Sequence, residues 1–134
     1  MILEFSCVDG GTHPITGKVW YRFPSCVAPG GERYDHYLCS ALFMTMHRPD
    51  DCLEALAQLD LVQSGQSAET TFGLNDTGVT FTPRGAQVDI AIEDEIANPD
   101  GLFGLAEFRN AVVAWRRFLS EPCSHAHSLQ IDIS

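Results

Sequence analysis

Apolar residues at Leu105, Phe108, Val112, Trp115 and Leu119 recur at spacings of three and four, with Ala111 and Phe118 widening the stripe. Arg109, Asn110, Arg116 and Arg117 occupy the rest of the surface, so the segment predicts a helix with one buried face. The paired arginines fall near its C-terminal end, where cations complement the helix dipole, and Pro122 marks the stop. Just upstream the period changes to two. Val88, Ile90 and Ile92 alternate with Asp89, Ala91, Glu93 and Glu95, which predicts a strand from Gln87 to Glu93 with one apolar face. A one-faced helix and a one-faced strand each need a cover, and packing the helix on the sheet satisfies both.

The remaining segments fit that scheme. Ile2 to Val8 predicts a strand halted by Gly10-Gly11, and Lys18 to Phe23 a second strand, reached through a link too long for a two-residue hairpin. Pro24 to Arg33, with two prolines and two glycines, predicts a loop. From Tyr34 to His47 the signal is double: Leu38, Leu42 and Met46 suit a helix, while Tyr37, Cys39, Ala41 and Phe43 extend an apolar run that favours a long buried strand. Arg48-Pro49-Asp50-Asp51 opens a helix that ends before Ser64-Gly65. Thr70 to Leu74 and Val79 to Thr82 flank the turn Asn75-Asp76-Thr77-Gly78 as a hairpin, and Ser128 to Ser134 closes the chain as a strand with Leu129, Ile131 and Ile133 on one side. The expected fold is one α+β domain over residues 1–134, an antiparallel sheet of about six or seven strands with two helices packed mainly on one face.

Charge restricts function more than any motif does. The net charge is -10 with a pI near 4.6, and the eight basic residues include a single lysine, Lys18. Phosphate backbones are bound by clustered Lys and Arg, so nucleic acid is excluded as a partner. No apolar run approaches membrane-spanning length, and the N-terminus has no basic region of the signal-peptide kind. Five cysteines without a short-spaced pair suggest neither a disulfide framework nor a CxxC site. The expectation is a cytoplasmic protein with free, mostly buried thiols.

Between Asp89 and Glu107 lie six acids, Asp89, Glu93, Asp94, Glu95, Asp100 and Glu107, and no Lys or Arg. This is the expected partner-binding surface, suited to a basic protein partner whose approach it would steer. The strand Val-Asp-Ile-Ala-Ile-Glu-Asp-Glu, followed by Leu-Ala-Glu-Phe-Arg-Asn-Ala and Trp-Arg-Arg-Phe-Leu, resembles the C-terminal halves of small bacterial proteins, including immunity proteins of polymorphic toxin systems. The N-terminal half is not covered by the likeness. The resemblance implies a cytoplasmic protein, monomer or homodimer, that occludes the basic active site of a cognate toxin or effector, with Glu93, Glu95 and Asp100 mimicking its phosphate-bearing substrate. A secretion chaperone is the neighbouring reading, distinguished by exposed apolar grooves rather than a compact charged patch.

Other constellations were weighed against plainer roles. If the last strand begins early, Cys123, His125 and His127 share a face with Leu129 and could hold zinc or copper for a small metal-dependent enzyme, although no fourth ligand is near in sequence. The plain alternative is a loop with histidines at the core rim. Cys39 with His36, or Cys7 with His13, could in principle make a nucleophile and base, but neither lies at a helix start or beside an orienting acid. Trp20, Tyr21, Tyr34 and Tyr37 flank the Pro/Gly loop and suit either an interface or the core. No catalytic residue, metal or cofactor is therefore expected.

Because Glu93 and Glu95 project away from the predicted core, reversing both charges is expected to leave cooperative thermal unfolding intact. Circular dichroism melting checks this, and loss of the folded state would mean that the strand register is off by one.

Overall fold

The computed structural model describes residues 1–74, 76–93 and 95–134. Along the chain run β1 (Ile2–His13), β2 (Gly17–Ser25), a π-helical turn (Tyr34–Leu38) continuing into α1 (Cys39–Thr45), and α2 (Pro49–Gln63). They are followed by β3 (Thr70–Leu74), β4 (Thr77–Thr82), β5 (Gly85–Ile90), a 3-10 turn at Pro99–Gly101, β6 (Leu102–Phe103), α3 (Leu105–Ser120) and β7 (His127–Asp132). The fold is α+β, as expected. Among the described residues seven strands form two antiparallel sheets, ordered β2-β1-β7 and β3-β4-β5-β6, where one sheet was expected, and there are three α-helices rather than two.

α3 explains why two sheets make one core. Its C-terminal half meets the first sheet: Trp115 packs edge-on to Phe5 at 5.0 Å between ring centroids, and Phe118 lies 5.6 Å from the same ring. Its N-terminal half meets the second sheet, with Phe108 edge-on to Phe81 at 5.6 Å. The residues of the predicted stripe, Phe108, Ala111, Val112, Trp115 and Phe118, are buried together with Leu3, Phe81 and Val88 from the two sheets. The Trp115 indole N–H donates to Met46 O at 2.9 Å, so the helix also holds the corner between α1 and α2. Arg109 pairs with Asp60 of α2.

Several boundaries differ from expectation for identifiable reasons. Tyr34 to His47 is helical, not a buried strand: Tyr34, Leu38, Ala41, Leu42 and Thr45 are buried at spacings of three and four, while Phe43 and Met44 face outward. The continuous apolar run concealed the helical period because two of its members sit on the surface. β1 does not stop at Gly10-Gly11; a register shift between Asp9 and Thr12 absorbs the glycines and pairing resumes to His13 and Gly17. The short connection is capped by the His13 ring, whose Nδ1 accepts the N–H groups of Ile15 and Thr16 at 3.1 and 3.3 Å. β2 runs through Pro24 to Ser25, so the Pro/Gly loop begins later than predicted.

α2 starts where expected. The Asp51 carboxylate accepts the N–H groups of His47 and Arg48, both at 3.0 Å, which satisfies donors ahead of the first turn. The β3–β4 hairpin is present, but its turn is tighter than predicted: Thr77 and Gly78 belong to β4 and pair with Leu74 and Gly73, and Asn75 lies outside the described residues. β5 begins at Gly85, whose φ of 144° and close approach to the Phe103 carbonyl leave no room for a side chain, and this lets β6 pair alongside. Among the described residues, no helix is long and apolar enough to cross a membrane.

Removing the shared anchor tests this account. Trp115→Ala is expected to lower stability by about 3–5 kcal/mol, from lost ring contacts and an unfilled cavity. Urea denaturation followed at both secondary and tertiary level should show the two sheets loosening together, since each leans on the same helix.

Candidate functional site

β5 ends at Ile90, three residues short of the predicted end, and the chain leaves the sheet carrying most of its acids. A hydrogen bond from Ala91 N–H to Asp76 O at 2.6 Å and another from Glu93 N–H to Ile90 O at 3.0 Å start the turn. Asp89 closes it from below, its Oδ1 accepting the N–H of Ala97 at 2.8 Å. Ala97 has a φ of 56°, in the left-handed region that disfavours a side chain, so Asp89 holds a conformation the residue would not choose alone. Further on, Asn98 accepts the N–H of Asp100 at 2.9 Å and its carbonyl accepts the Gln87 amide at 2.8 Å.

The predicted acids divide into two groups. The charges of Asp89, Glu93, Glu95 and Asp100 all act on one phenol, that of Tyr37 in the π-helical turn. Burial, then the fields of Glu93, Glu95, Asp100 and Asp89, push that phenol above its ordinary range. Glu93 is half-buried and contacts His36 Nε2 at 2.6 Å, while Glu95 and Asp100 are exposed. Glu107 stands apart from these. It lies in the first turn of α3, and both its carboxylate oxygens accept from the Tyr34 hydroxyl, at 2.9 and 3.0 Å. Burial and this bond raise the Tyr34 phenol as well. Asp94 lies outside the described residues.

Sequence reasoning missed the apolar part of this surface. Ile92 was assigned to the buried face with Val88 and Ile90, but the strand has ended before it and Ile92 is 78% exposed, as is Ile96. Two isoleucines therefore stand in water among Glu93, Glu95, Asp89 and Asp100. The missed signal is Ala91: a small residue followed by a dense acid run is a poor continuation of a strand. Next to this surface a cation is spent internally. Arg33 stacks on Tyr34 and Phe103, 4.5 and 4.7 Å from the ring centroids, and donates to the carbonyls of Asp100 and Leu102.

The other predicted chemistry rearranges. Cys7 and Cys123 are joined as a disulfide with a Cα–Cα distance of 6.0 Å, against the expectation of free thiols throughout. The bond takes Cys123 away from the Cys123/His125/His127 face as a thiolate ligand. There the His125 and His127 rings lie tilted with centroids 4.7 Å apart, and among the described residues no group of three or more His, Cys, Asp or Glu side chains is placed to hold a metal. Cys26, Cys39 and Cys52 remain free and buried. Burial, reinforced by Asp35, pushes the Cys39 thiol well up, and burial with Asp51 pushes Cys52 up to about 12, so neither offers a nucleophilic thiolate. Tyr34 and Tyr37 are core residues, whereas Tyr21 is half exposed.

No known protein family, curated protein or solved structure matches this chain.

Thiol labelling at pH 8 is expected to leave Cys39 and Cys52 unmodified until denaturant is added, because the thiolate form is suppressed and the sulfurs are covered. The disulfide closes a long loop, residues 116 apart in sequence. Reduction is expected to lower stability by about 2–4 kcal/mol in urea titrations, and a Cys7→Ser variant should show no response to reductant.

Proposed function

We propose that the chain is a small acidic protein-binding protein that acts in the bacterial cytoplasm, inserting the segment after β5 into the basic active site of a cognate toxin or effector. The observation that carries this reading is the presence of Ile92 and Ile96, each 78% exposed, in the same segment as the exposed acids Glu95 and Asp100. An apolar anchor supplies contact area that excludes water, and acids around it gain strength from that exclusion when they meet Lys or Arg. The brace from Asp89 to Ala97 supports the same reading, since a segment held in one shape loses less entropy on binding.

Within this reading the acids have distinct roles. Glu95 and Asp100 are the exposed contacts, Glu93 is a contact that must part from His36, Asp89 positions the loop, and Glu107 secures Tyr34 rather than touching the partner. Assignment to the cytoplasm belongs to the proposal too. A Cys7–Cys123 bond found intact in freshly lysed, alkylated cells would move the protein to an oxidising compartment.

Tagged protein should recover a single basic protein from host lysate at low salt, and the purified pair gives the affinities. Ile96→Asp and Glu95→Lys are each expected to weaken binding by about 2–5 kcal/mol if these side chains are desolvated in the complex. A loss below about 1 kcal/mol for both would place the contact elsewhere, because solvated surface charges contribute no more than that.

A further inference from the structure

β7 is an edge strand, paired with β1 on one side only. Ile133 N–H donates to Met1 O at 3.1 Å, and the alternation of an antiparallel ladder then turns the N–H and C=O groups of Ser128, Gln130 and Asp132 away from β1. The other sheet edges are protected. β2 carries Lys18 and Pro24, β3 contains Gly73, and β6 has only two residues. β7 reads His-Ser-Leu-Gln-Ile-Asp, with no proline, glycine, lysine or arginine to discourage another strand.

Beside that open edge, a groove of about 730 Å³ runs between β7 and α3. Phe5 and Phe118 lie at its base and Leu129, Ile131 and Val113 along its walls, with Val113 49% and Leu129 39% exposed. We propose that this face joins two copies of the chain, β7 pairing antiparallel with β7 of a second copy about a two-fold axis through Gln130. Outward-facing backbone groups must meet their like, so Gln130 faces Gln130 of the second copy and Ser128 faces Asp132 of it. On the groove side the same register sets Leu129 against Ile131 twice and closes an apolar strip continuous with Val113. The strand is thus complementary to itself.

Charge is compatible with the same face. Two chains of net charge -10 repel, and the groove sets Arg117, 3.5 Å from Glu121 at the end of its own helix, beside Asp132, while Arg109 is paired with Asp60 of α2. A two-fold axis therefore brings together rims of both signs rather than acids alone, which lessens the repulsion. Asp89 lies in β5 of the other sheet and Glu93, Glu95 and Asp100 in the segment after it, outside the lining of this groove.

Sedimentation velocity on the full chain from about 1 to 100 µM tests the proposal. The expected result is a dimer at the upper end of that range. Gln130→Pro removes one outward N–H while sparing the ladder to β1, and Leu129→Lys puts a charge on the groove wall; each is expected to raise the dissociation constant about tenfold or more with the monomer's circular dichroism unchanged. A chain that stays monomeric throughout, including one whose β7 instead accepts a strand from another protein, overturns the proposal. So does a dimer that both substitutions leave untouched.

Discussion

The stripe on α3 is the contact on which the rest of this structure depends. α1 and α2 pack against β3 and β4, and α3 ties the two sheets together by meeting each with a different half, through Phe108 for the β3–β6 sheet and through Trp115 and Phe118 for the β1–β2–β7 sheet. The helix is therefore a hinge pin as well as a lid. A shift of one residue in its stripe would break its contact with both sheets at once, since Phe5, Phe81 and the Met46 carbonyl all converge on it.

The acid-rich segment between β5 and α3 stands in a different balance. Its carboxylates repel one another, and the local structure answers with neutral and cationic brackets rather than with burial. Asp89 accepts a backbone N–H, Glu93 contacts His36, Glu107 accepts from Tyr34, and Arg33 is drawn in beneath Asp100. What stays unbracketed is the part that faces solvent: Glu95, the Asp100 carboxylate and two isoleucines. The proposed binding role rests on that remainder, and a mixed apolar and acidic surface on a braced backbone is a physical basis for specificity.

Much of the architecture was legible in the residues. α3 could be read because its stripe is unbroken over four turns, α2 because Pro49 and two acids open it, and the β3–β4 hairpin because its turn residues lie between two short β-rich runs. Tyr34 to His47 was misread where surface Phe43 and Met44 masked the helical period. The split into two sheets was not legible, since the pairing of β1 with β7 spans nearly the whole chain and no local pattern encodes it. The Cys7–Cys123 bond escaped for the same reason. At the site, Glu107 stands apart from the other acids, and the roles of Asp89 and Glu107 as braces needed the third dimension. Ile92 was misplaced because alternation was extended past the point where the strand ends.

The spread of charge along α3 has a kinetic meaning. Arg116 and Arg117 occupy its last turns and the acids around Tyr37 lie toward the sheet that covers its first turns, so the charge is unevenly distributed along a helix of 16 residues, about 24 Å long. Such a molecule has an electrical handedness. Within a screening length of about 10 Å at 0.1 M salt, a basic surface exerts a torque on it before any atoms touch, turning the acidic pole forward and the arginines back.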